Sequence, residues 1–163
     1  MRYASIRKMD ISNGEEIGIA LFVQGCHFHC YNCFNPQTWD FSQGKEWDAE
    51  TELNFLNLAK PSYIKRISFL GGEPLCPENR KTVTRMSALL KELYPNKKQW
   101  LYTGYEFNYI STFAILKTLD VVIDGQYDDS KRDVTLKWRG SKNQRVIDVQ
   151  KTLNQGELTL WCE

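Results

Sequence analysis

Apolar residues along this chain collect into short runs that stop at glycine. Between the runs lie longer stretches in which apolar residues recur every three or four positions. The run Ile17-Gly18-Ile19-Ala20-Leu21-Phe22-Val23 has no polar alternation and ends at Gln24-Gly25, which predicts a strand covered on both faces, as in a parallel sheet. Further strands are predicted over residues 64–70, stopped by Gly71-Gly72, over 100–103, stopped by Gly104, and over 121–123, before Asp124-Gly125. Residues 145–149 make a fifth strand and 158–161 an edge strand. Helical period falls on Leu53, Leu56, Leu58 and Ala59, then on Val83, Met86, Leu89, Leu90 and Leu93 before Pro95, then on Phe107, Ile110, Phe113 and Ala114.

Strand and helix alternate, so the expected fold class is α/β with right-handed crossovers and a mostly parallel sheet. An eight-fold barrel takes about 250 residues. A chain of 163 residues therefore predicts a partial, open (β/α) barrel or a small open sheet, in one domain over 1–163. Residues 127–143 lack any period and carry Asp128, Asp129, Lys131, Arg132 and Asp133, which predicts a long excursion before the last strands.

Each glycine-bearing cluster follows a predicted strand end. In a parallel sheet those ends share one side, where α/β folds bind ligands, so the clusters after residues 23, 70, 103 and 123 should face one pocket. One of them carries distinctive chemistry. Cys26, Cys30 and Cys33 stand at a CxxxCxxC spacing, and three soft thiolates so close together can hold an iron-sulfur cluster. A four-iron cluster takes four such ligands, so one iron would stay open to a further ligand. The Gly71-Gly72-Glu73-Pro74 turn would let a backbone approach a ligand without Cβ obstruction, although by itself it is equally a turn that needs glycine.

Composition narrows the setting. With 21 basic and 20 acidic residues well dispersed, nothing favours nucleic acid or an anionic membrane as partner. No apolar run approaches the roughly 20 residues of a membrane helix, and the N-terminus shows no signal pattern, so a cytoplasmic location is expected. Five cysteines, three of them clustered, argue for a reduced compartment. Cys76 reads as a small buried residue, Cys162 as incidental, and Trp39, Trp47 and Trp100 as packing. His27 and His29, inside the cysteine loop, leave a mixed Cys/His zinc site as the metal alternative, but the second ligand pair that structural zinc ordinarily needs is missing from the sequence.

The CxxxCxxC loop followed by the GGEP turn resembles the radical S-adenosylmethionine superfamily. Within it the chain is similar to the activating proteins of anaerobic ribonucleoside-triphosphate reductases, through Leu21 to Cys26, Asn35 to Asp40, Tyr102 to Tyr105, Asp124-Gly125 and Trp138 to Arg145. The resemblance implies a [4Fe-4S] cluster on Cys26, Cys30 and Cys33, and S-adenosylmethionine on its open iron. Asn32, Cys33 and Phe34 match the segment on the adenine side, and Gly71, Gly72 and Glu73 the turn that meets the methionyl amino group. It also implies reductive cleavage to a 5′-deoxyadenosyl radical, a glycyl radical made on the large reductase subunit, and a flavodoxin-like electron donor. No catalytic residue is expected beyond cluster and cofactor.

Asn32 stands where the superfamily often has an aromatic residue, and Asn13-Gly14 resembles only part of the family's NGPG-like turn. Arg139 and Arg145 could clamp a carboxylate or anchor their own loop. The alternatives are another small radical S-adenosylmethionine enzyme, acting on a metabolite or another glycyl-radical protein, and a zinc-binding interaction module.

Overall fold

The computed structural model describes residues 1–162. Seven strands, β1 (Arg2–Asp10), β2 (Gly18–Val23), β3 (Lys45–Glu46), β4 (Arg66–Gly71), β5 (Lys98–Tyr102), β6 (Val121–Asp124) and β7 (Arg145–Asp148), form one open sheet in the order β3-β1-β2-β4-β5-β6-β7. Four helices, α1 (Ala49–Leu58), α2 (Pro77–Leu93), α3 (Phe107–Ile110) and α4 (Val149–Gln155), complete the mixed α/β fold.

The centre matches expectation: β2, β4, β5 and β6 are parallel neighbours. The flanks correct the mostly parallel sheet. β1 runs antiparallel to β2 and to β3, and β7 runs antiparallel to β6, so half of the six pairings are antiparallel. The excursion thus ends by returning beside β6, with Asp124 opposite Arg145, instead of crossing over. β1 has no counterpart among the expected strands because Arg2, Ser5, Arg7 and Lys8 interrupt its apolar positions. Residues 158–161 form no strand; Leu160 makes only an isolated bridge to Ile147.

Polar caps set the helix phases. The Asp48 carboxylate accepts from the Thr51 amide at 2.8 Å and starts α1 one turn ahead of its apolar stripe. That phase buries Phe55 and leaves Leu53 exposed, contrary to the expected stripe. Pro77 opens α2, whose Val83, Met86 and Leu90 are fully buried as expected, whereas Leu93 is exposed. The predicted third helix is broken: α3 is one turn, and residues 114–117 are a separate 3-10 turn.

Alternation along the strands divides the core. Ile19, Leu21 and Val23 of β2, Ile67 and Phe69 of β4, Leu101 of β5 and Val122 of β6 point to one face, where the helices cover them. On the other face Ala20, Phe22 and Leu70 form one small cluster, and Trp100, Val121, Ile123 and Val146 another.

Candidate functional site

The carboxyl ends of the parallel strands open into a cavity of about 150 Å³. Cys26, Cys30 and Cys33 line it from the loop after β2, Gly71 to Glu73 from the turn after β4, Thr103 and Gly104 from beyond β5, and Gly125 from beyond β6. The four strand-end clusters therefore do meet. Gln144, just before β7, and Tyr127 in the excursion close the ring.

The cysteine loop is pinned at its base. Buried Gln24 donates through Nε2 to the carbonyls of Gln37 (3.0 Å) and Asp40 (2.8 Å), and the Gly25 amide donates to Thr38 at 2.7 Å. His29 and Asn32 hold left-handed backbone, φ 49° and 54°, which winds the thiols inward. Gly72 explains part of the glycine pair, because a Cβ there would collide with the Gly25 carbonyl. Its amide donates to Val23 at 2.9 Å and that of Glu73 to Gly25 at 2.8 Å. The glycine pair thus brings the β4 turn against the cysteine loop as well as into the cavity.

Glu73 is fully enclosed and its carboxylate is spoken for. Oε1 accepts from the Leu75 amide (2.9 Å) and the Thr103 hydroxyl (2.8 Å), and Oε2 from the Gly104 amide (2.8 Å). It ties the β4 turn to the β5 turn. Burial outweighs these donors and raises its pKa to about 7. Burial also raises the Cys26 and Cys30 thiols, and neighbouring Cys33 adds to the shift at Cys30. They are thiols at neutral pH, so a metal centre held by them would bind with release of protons.

Donor chemistry agrees with an iron-sulfur cluster: three half-buried cysteines on one cavity wall, backed by a glycine turn. A mononuclear zinc site fits poorly. Among the described residues no three His, Cys, Asp or Glu side chains converge on a single ion, and the imidazole of exposed His27 is 3.0 Å from Glu78 while His29 stacks on Trp39.

Of the expected cofactor contacts, Cys33, Gly71, Gly72 and Glu73 line the cavity, Phe34 lines an adjoining one, and Asn32 lines neither. Asn32 instead donates through Nδ2 to Asp129 at 3.0 Å, and the Tyr127 hydroxyl donates to the same carboxylate at 2.7 Å. Tyr127 also packs on Phe34, with centroids 5.0 Å apart. The excursion is therefore clasped onto the cysteine loop. Tyr127 is not among the expected site residues, its only signal being its place just beyond Gly125, whereas Gln144 belongs to the Trp138 to Arg145 motif that the resemblance singles out without a role.

The Trp138 to Arg145 stretch is largely an internal bracket. Gln144 accepts from the Gly140 and Ser141 amides and donates to Gly125, Asn143 donates to Gln126, and Arg145 forks onto Asp124 at the end of β6. Arg145 is thus a loop anchor. The Asn13-Gly14 turn has a comparable job, closing over the Arg66 guanidinium, which pairs with Asp10 at 2.8 Å while accepting groups surround it. Cys76 is buried at the start of α2 and Cys162 packs beside the Trp100 cluster.

A model of the 4Fe-4S single cluster domain matches residues 12–147. An anaerobic ribonucleoside-triphosphate reductase-activating protein of Enterobacteria phage T4 is 37% identical over 146 residues, covering 90% of this chain and 93% of the relative. Proteins of the same description from Pasteurella multocida and Escherichia coli K12 are 36% and 32% identical, covering 90% of this chain and 96% and 97% of their own lengths.

Proposed function

The chain belongs to the family of anaerobic ribonucleoside-triphosphate reductase-activating proteins, and from this premise we propose that it is a radical S-adenosylmethionine enzyme that installs a glycyl radical on such a reductase. The observation that carries the reading is the convergence of three thiols and the Gly71-Gly72 turn on one cavity at the carboxyl ends of parallel strands. The open sheet is read as part of a (β/α) barrel and the chain as a single domain; its described residues contain no helix long and apolar enough to cross a membrane.

Cys26, Cys30 and Cys33 would hold the [4Fe-4S] cluster. Bound cluster and S-adenosylmethionine supply reductive cleavage of the sulfonium bond and hydrogen abstraction from a glycine Cα. The protein supplies position. Gly71, Gly72 and the Glu73 backbone would receive the methionyl amino group, since the Glu73 side chain is committed to Thr103 and Gly104. Cys33 and Phe34 would face adenine together with Tyr127, which stands beside Phe34, whereas the side chain of Asn32 holds the excursion in place. A flavodoxin-like protein would deliver the electron.

Anaerobic reconstitution with iron and sulfide should yield four irons per chain, and dithionite should then drive 5′-deoxyadenosine formation from S-adenosylmethionine. A glycyl EPR signal on added reductase identifies the substrate. Absence of 5′-deoxyadenosine from a four-iron preparation defeats the enzyme reading.

A further inference from the structure

A second cavity, of about 520 Å³, adjoins the cysteine cavity. Asn35, Leu70, Tyr102, Tyr127 and Gln144 belong to the walls of both. Phe22 and Leu70 supply the sheet side, and the excursion covers the other. Three guanidinium groups, those of Arg7, Arg132 and Arg139, reach this cavity against one carboxylate, that of Asp133.

The charges do not cancel locally. Asp133 already faces Lys142 at 3.5 Å and accepts from Thr135. Arg7 shares Asp10, at 3.5 Å, with the closer Arg66. The other ion pairs of the excursion, Lys131 with Asp128 and Arg145 with Asp124, leave out Arg139 and also Arg132, whose guanidinium lies over the Phe34 ring at 5.7 Å with Asp129 as its nearby charge. Arg139 is the sharper case, because its Nε is buried and has no hydrogen-bond acceptor among the described residues. The Tyr102 hydroxyl, in the shared wall, is buried and unpartnered as well. Native proteins rarely leave such groups unmet, and unlike Trp100 Nε1, which is also unpartnered but enclosed in its aromatic cluster, both of these border the cavity, so each points to an absent ligand.

The rim is apolar: Val134 is 82% exposed, Phe34 is 59% exposed, and Ile11, 77% exposed, precedes Ser12 in the wall. Arginine and aromatic groups within an apolar margin are the composition of a protein interface. We propose that this cavity seats a carboxylate-bearing segment of the protein substrate, whose Asp or Glu side chain is received by Arg139 with Arg7 and Arg132 around it. The planar guanidinium fork matches a carboxylate in two parallel hydrogen bonds. The proposal rests on the activase reading above, and adds that the substrate is held by its charge beside the cysteine cavity.

Two fluorescent peptides covering the radical-bearing segment of the cognate reductase test it, one with its native Asp and Glu and one with Asn and Gln in their places. Anisotropy is read anaerobically on cluster-loaded protein with S-adenosylmethionine present. The acidic peptide should bind about ten-fold or more tightly than the amide peptide. Arg139→Gln should reduce that preference to within about two-fold, and Arg139→Lys should retain part of it. Equal binding of the two peptides to the parent protein, or a preference that survives in Arg139→Gln, overturns the proposal. So does a segment with no acidic residue, or a loss of S-adenosylmethionine affinity in Arg139→Gln with peptide preference intact. The peptide comparison on the parent protein decides even if the variant fails to fold. Dithionite-driven cleavage of S-adenosylmethionine by the parent without peptide reports separately on the activase reading.

Discussion

The two faces of the sheet draw on alternate residues of the same strands and are filled in opposite ways. Leu21, Phe69, Leu101 and Val122 lie fully buried under the helices in one continuous core. Their immediate neighbours Phe22, Leu70 and Tyr102 face cavities lined by arginine, thiol and backbone groups. The helical face carries most of the apolar burial, and burial of apolar area drives folding. The other face packs tightly only around Trp100, Val121, Ile123 and Val146, and toward the carboxyl ends of the strands it positions polar groups by hydrogen bonds around space for a cofactor and a substrate. Stability and chemistry thus separate at the level of single residues along a strand.

The largest effects should distinguish the faces directly. Phe69→Ala removes a ring enclosed on all sides and should cost about 3–5 kcal/mol in urea unfolding of the cluster-free protein. Phe22→Ala, whose ring borders a cavity and the Arg7 guanidinium, should cost about 1–2 kcal/mol. Equal losses would dissolve the contrast between the faces.

Glu73→Gln comes next. One amide oxygen cannot serve the Leu75 amide, the Thr103 hydroxyl and the Gly104 amide together, and the amide NH₂ would oppose a donor. At pH 5 the parent side chain is mostly the neutral acid, whose hydroxyl oxygen can still accept a hydrogen bond where the amide NH₂ cannot, and the variant should be less stable by about 1–3 kcal/mol. The parent's pH profile carries the sign. Because the folded pKa, about 7, lies above the ordinary value of 4.5, the folded chain keeps a proton that the unfolded chain releases. Stability is therefore full below about pH 4.5 and falls as pH rises through about 7. Glu73→Gln should flatten that slope and narrow the gap at pH 8, as measured by urea midpoints across pH.

How much of this was legible beforehand follows the same division. The central strands announce themselves because a strand buried on both faces is a continuous apolar run, and the glycine stops mark the cavity because loops can approach closely only there. β1 escapes because an edge strand needs few apolar residues, and the direction of β7 escapes because apolar pattern carries no polarity of chain. The stripe of Leu53, Leu56, Leu58 and Ala59 omits Phe55 because apolar spacing alone does not carry the phase set by the Asp48 cap. At the site the cysteines and glycines were readable by type and spacing. The clasp of Asn32, Tyr127 and Asp129 was not, since polar residues 97 positions apart look like solvated loop until the fold brings them together.

Smaller still in stability, but decisive for chemistry, is Cys30→Ser. The thiol is half-buried and outside the packed clusters, so unfolding of the cluster-free protein should shift by no more than about 0.5 kcal/mol. Iron and sulfide content after reconstitution should nevertheless fall, because one thiolate is lost from a three-thiol set. Loss of stability comparable to Phe69→Ala would make Cys30 a core residue and remove the distinction.

The smallest thermodynamic effect is expected from Asp129→Ala. Its side chain is half-buried in the clasp, and the Tyr127 and Asn32 hydrogen bonds that depress its pKa lie outside the helical core. The urea midpoint should stay where it is. What should change is local: residues 127–143 are tied to the cysteine loop through Asn32 and Tyr127, and removing their common acceptor leaves the Phe34 and Tyr127 contact to hold the segment. Limited trypsin digestion should then cut faster at Lys131, Arg132 and Lys137 while cleavage within α2 is unchanged, because opening of the excursion does not require global unfolding. Unaltered digestion at those three sites would show that the aromatic packing alone closes the cavity, and would shift the boundary between the two faces from polar contacts to apolar ones.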